Sequence, residues 1–179
     1  LKKSEKSQKR EKRTIERRDL LFGFNDMIKF FVSFLIILPM VSVIHVSGHS
    51  FMAMLFGGKA SLDIGMGKRF LKVGPIQVRR IYFIDSFCQF GELRIDNRLT
   101  SALVYSGGCL FNLASIFIIN LLIMKDVLEP NLFFYQFVYF STYYVFFALL
   151  PVKHGDNKLS DGLAVYKVLR YGERCEINN

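Results

Sequence analysis

Cysteine is scarce in this sequence and widely spaced: Cys88, Cys109 and Cys175 form no C-x-x-C pair. That spacing speaks against a disulfide framework and against a thiolate zinc site, and leaves the three as small apolar or surface residues. Carboxylates are also few, with 15 Asp and Glu against 24 Lys and Arg, for a formal net charge of +9. No internal repeat is present. Missing too is the even mixing of polar and apolar residues that a soluble domain needs. Of the 179 residues 51% are hydrophobic and 15% aromatic, and they gather into blocks between charged stretches.

Three such blocks cover residues 27–56, 103–124 and 132–152. Each reaches the roughly 20 residues that cross about 30 Å of hydrocarbon as a helix. As buried core helices, three blocks of this length would leave too little polar surface to enclose them. The expected fold class is therefore a mainly α, polytopic protein of the cell membrane with three transmembrane helices. The first block is too long for a cleavable signal peptide and is expected to stay in the membrane.

Residues 1–26 form a basic juxtamembrane tail. Nine of the first eighteen residues are Lys or Arg (Lys2, Lys3, Lys6, Lys9, Arg10, Lys12, Arg13, Arg17 and Arg18), against Glu5, Glu11 and Glu16. Beside a membrane span the expected partner of such a run is anionic lipid, not nucleic acid. The membrane domain is placed at 27–171 and a short tail at 172–179. Within the domain, residues 57–102 carry Gly65, Gly67, Gly74, Pro75 and Gly91 among β-branched and aromatic residues, the pattern of a small β-region. Residues 125–131 are a tight turn, Pro151 stops the third span, and Ser160 can N-cap a last helix over 161–171.

Near the end of the first block stand His45 and His49. Four residues apart on a helix they share a face, so both imidazoles can reach one metal ion, although a His pair can equally bond across helices. Ionisable residues inside a span are costly and tend to mark functional sites. Catalytic zinc takes three protein ligands and keeps a fourth position for water, and Asp161 is the candidate third ligand; by itself an Asp just after an N-cap also complements the helix dipole.

Taken in order, His45 to His49, then Gly108-Cys109-Leu110-Phe111-Asn112, then Leu150-Pro151 with Asp161-Gly162, the chain resembles the site-2 protease family of intramembrane zinc metalloproteases. Gly57-Gly58-Lys59 and the strand-rich stretch after it resemble that family's membrane-associated β-region. The resemblance spans roughly residues 28–170. It implies that His45, His49 and Asp161 ligate zinc, that Asn112 contacts the substrate or the reacting carbonyl, and that the substrate is a transmembrane or membrane-proximal protein segment. For Asn112 an interhelical hydrogen bond is an equal alternative.

Val46 stands where that family has the glutamate of H-E-x-x-H, the general base. Its loss is expected to impair proteolysis, since removing a positioned acid or base typically costs about 10²–10⁴-fold. His154 and Asp156 are the replacement bases within reach. Cys109 and Ala148 also depart from the family's usual proline and asparagine. The expected function is thus a zinc metallopeptidase homologue that binds or acts on membrane segments with impaired catalysis, with a metal-free membrane scaffold as the alternative. Orientation stays open: the resemblance puts the amino terminus outside, whereas nine basic residues in the tail against eight in the 57–102 loop favour it inside.

Overall fold

The computed structural model describes residues 23–74, 76–91, 93–154 and 158–173. Residues up to Leu35 make one unit and those from Ile36 onward another. Helix α1 (Phe24–Leu55) holds 32 residues, about 48 Å at about 1.5 Å per residue. Pro39 lies inside it and removes one backbone donor. In the first unit Phe24, Met27, Ile28, Phe31, Val32 and Leu35 are exposed.

In the second unit, β1 (Ala60–Val73) and β2 (Ile76–Phe90) form an antiparallel hairpin. Gly65, Gly67 and Gly74 all take positive φ, which L side chains rarely adopt, and they let the first strand bend and the turn close. The hairpin folds back on itself. Leu62, Asp63 and Ile64 pair with Cys88, Phe87 and Ser86 on one side and with Ile76, Gln77 and Val78 on the other, and the latter pair in turn with Val73, Lys72 and Leu71, so four segments of the two strands lie side by side. Asp63, buried inside it, pairs with Arg79 at 3.5 Å.

Helix α2 (Arg98–Met124) opens earlier than the apolar pattern implies, because residues 98–102 belong to it and not to the β-region. A capping box sets the start: the Asn97 side chain accepts from the Thr100 N–H at 2.8 Å, and the Asn97 N–H donates to Thr100 Oγ1 at 3.0 Å. After a short turn, Asn131 caps α3 (Leu132–Leu149) by accepting from the Phe134 N–H. That helix ends before residues 150–152, which leave the helical path at Leu150-Pro151.

Strands β3 (Lys153–His154) and β4 (Lys158–Leu159) are a two-residue pair leading into α4 (Asp161–Tyr171). Ser160 caps α4 as its sequence position implies, accepting from the Leu163 N–H while its hydroxyl donates to the Leu150 carbonyl at 2.5 Å. One side chain thereby ties the end of α3 to the start of α4. Tyr105, Ala164 and Val168 pack α4 against α2.

Met27–Leu55, Arg98–Met124 and Leu132–Leu149 are long and apolar enough to cross a membrane. Their large apolar side chains, among them Phe51, Leu110, Phe117, Ile118, Phe146 and Phe147, point outward. In water that arrangement would forfeit the hydrophobic term; in lipid it is the solvated state. Small residues let the helices approach. A Cβ on Gly48 would collide with the Gly107 carbonyl, and one on Gly162 with the Leu149 carbonyl.

Candidate metal centre

On α1 the i, i+4 spacing sets the His45 and His49 rings edge to face, with centroids 4.8 Å apart and Nε2 atoms 3.1 Å apart. Ser160 and the close Gly162 contact bring the first residue of α4 to the same place. Asp161 Oδ2 lies 2.8 Å from His45 Nε2 and 3.3 Å from His49 Nε2. The three ligand atoms fall within 4.8 Å of one another, and both histidines are buried. Atoms with lone pairs this close repel unless a cation, proton or metal, sits among them.

Contacts from α2 complete the arrangement. His49 Nδ1 is 2.8 Å from the Val104 carbonyl, which can only accept, so Nδ1 carries the hydrogen and the neutral ring presents a bare Nε2 to the cluster. Asn112, with no solvent exposure, places its amide nitrogen 3.4 Å from His45 Nδ1, while its Oδ1 has no partner among the described residues. The two ends of an amide exchange by a half-turn. With the oxygen toward His45 it accepts Nδ1–H and frees that Nε2 in the same way.

Gly108 lies under both rings: a Cβ there would sit 2.5 Å from the Nε2 of each. Tyr144 of α3 covers His45 with ring centroids 4.8 Å apart. Cys109 directs its thiol at Asp161 Oδ2, 3.8 Å away. Burial by itself would raise the Asp161 carboxyl, but when a proton and not a metal ion sits among the three, the charge of His49 and hydrogen bonds from both histidines hold it well below the usual carboxylate range. The group offered to a cation is a carboxylate.

All three expected ligands are therefore together, and Asn112 contacts His45. Val46 is buried at 2% exposure and offers no proton-transfer group. The side chain of His154, and Asp156 entirely, lie outside the described residues, as do the tail from 1 to 22 and Cys175. Gly108 and Cys109, which the sequence offered only as part of a motif with Asn112, are neighbours of the cluster, and Tyr144 is one that the sequence did not single out. The run Gly107-Gly108-Cys109, small residues inside an apolar helix, was the available signal for two of them.

Three helices long and apolar enough to span define an integral membrane protein, and the His-His-Asp cluster joins two of its elements. No family model matches the chain, and no solved structure does. Over 158 residues, 88% of this chain and 99% of the relative, it is 74% identical to the "Uncharacterized membrane protein YwmF" of Bacillus subtilis (strain 168). The chain belongs to the family of that membrane protein.

These findings correct the resemblance to the site-2 protease family. No model of that family matches any part of the chain, and the 74% identical relative carries the name of a membrane protein, not of a protease. The short motifs behind the resemblance each have a packing role of their own. Gly108 makes room for two imidazoles, Gly162 for the Leu149 carbonyl, and Asn112 bonds across helices. Such roles need no peptidase chemistry.

Proposed function

We propose that this membrane protein binds one zinc ion through His45, His49 and Asp161 and holds, without cutting, an apolar protein segment reached from the lipid. The observation that carries the reading is the convergence of His45 Nε2, His49 Nε2 and Asp161 Oδ2 in one cluster, with both histidines buried and Asp161 partly so. Two imidazoles and a carboxylate are a donor set that suits zinc. Bound zinc would tie α1 to α4 through these side chains, and would supply Lewis acidity only where its fourth position is open. The protein's own groups orient the ligands: the Val104 carbonyl fixes the His49 tautomer and Asn112 contacts His45. Val46, buried next to His45 in the chain, offers no proton-transfer group.

The test is incubation of the purified chain, loaded with zinc in detergent, with a transmembrane peptide. Zinc-dependent peptide binding without chelator-sensitive cleavage is expected. Robust cleavage abolished by a chelator would overturn the silent reading.

A second reading is a metal-free scaffold in which the cluster only joins helices. It is favoured by the distances themselves, since 2.8, 3.1 and 3.3 Å also suit a shared proton. Metal content of the purified protein separates the two.

A further inference from the structure

We propose that Cys109 is the fourth ligand of the metal, closing the site into a tetrahedral centre of two nitrogens, one oxygen and one sulfur; this rests on the metal reading above. The thiol is buried and its sulfur lies 3.8 Å from Asp161 Oδ2. Zinc bonds of about 2.0–2.1 Å to nitrogen or oxygen and about 2.3 Å to sulfur give tetrahedral ligand-to-ligand edges of about 3.3–3.5 Å. The edges present here are 2.8, 3.1 and 3.3 Å among the first three ligands and 3.8 Å from carboxylate to sulfur. The sulfur stands outside the three-atom group, and its contact with that group is the one to Asp161 Oδ2; the proposal requires the short Cys109 side chain to turn towards the two imidazoles when metal binds. Its backbone is already in place, because the residue before it, Gly108, is the one against which both Nε2 atoms lie.

Charge favours the closed form. Zinc with one carboxylate and two neutral imidazoles keeps a single positive charge between spanning helices, where net charge is costly; a thiolate makes the centre neutral. On coordination the thiol proton leaves to water, as it does for thiolate ligands generally. Asn112, wholly buried beside His45, leaves one end of its amide without a partner among the described residues in either orientation. A closed centre leaves no position on the metal for water.

X-ray absorption at the zinc edge on the full chain in detergent, loaded with zinc alone, tests the assignment. The expected spectrum has one sulfur at about 2.3 Å beside three nitrogen or oxygen atoms at about 2.0 Å. In Cys109→Ser the metal stays, the sulfur disappears, and retention against a chelator weakens by at least about tenfold, the low end of what losing even an outer-shell partner costs. Cobalt in place of zinc should show a thiolate charge-transfer band that the same substitution removes. Bound zinc without sulfur, or a sulfur that persists in Cys109→Ser, overturns the fourth ligand and leaves the three-ligand site standing. No bound metal in the parent chain overturns both.

Discussion

Gly108 carries a geometric demand set by the site itself, because the space its missing Cβ leaves is where two imidazole nitrogens lie. Gly108→Ala is expected to push His45 and His49 off α2 and lower zinc affinity by an order of magnitude or more, measurable by chelator competition, with the helical content unchanged. Cys88 gives a second residue-scale expectation. Burial pushes its thiol up to about 11 against the lowering effect of a hydrogen bond with Ser50. An unfolded cysteine ionises near about 8.5, so at pH 8 the folded thiol should alkylate about two orders of magnitude more slowly than the unfolded one. Since the folded pKa is the higher, this proton adds stability that is complete below pH about 8.5 and is lost as pH rises towards about 11. Mass labelling of Cys88 in a background of Cys109→Ser and Cys175→Ser reads the rate; equal rates folded and unfolded would contradict the burial.

At the scale of elements, the helices owe their ends to side chains that an apolar count does not weigh. The Asn97 and Thr100 capping box starts α2 at Arg98, five residues before its apolar block begins at Leu103. Asn97→Ala should destabilise the protein by about 1 kcal/mol, seen as a lower midpoint in thermal unfolding in detergent. The three spans were legible because twenty apolar residues in a row have few other uses, and the hairpin because glycines interrupt it. Its doubled register was not legible, since that depends on where Gly65 and Gly67 bend the first strand. The pairing of His45 with His49 follows from the helical period. The closeness of Cys109 and Tyr144 follows from which faces of α2 and α3 meet α1, which linear spacing does not encode. The short ordered motifs misled on family for the same reason: glycines and a histidine pair serve helix packing as readily as catalysis.

Across the whole molecule, the outward apolar side chains, glycine-mediated helix contacts and interior ligand set agree with a membrane bundle built around one polar centre. Its identity with the Bacillus subtilis membrane protein runs over 88% of the chain, which takes in the spans together with the loops between them. The central claim is that the His-His-Asp cluster is a metal site, and the zinc content of the chain purified in detergent tests it most directly, compared with Asp161→Ala and His49→Ala prepared in parallel. About one zinc per chain in the parent, falling to near background in both variants while each still folds, is the predicted result; no stoichiometric zinc in the parent, or undiminished zinc in either variant, would contradict it.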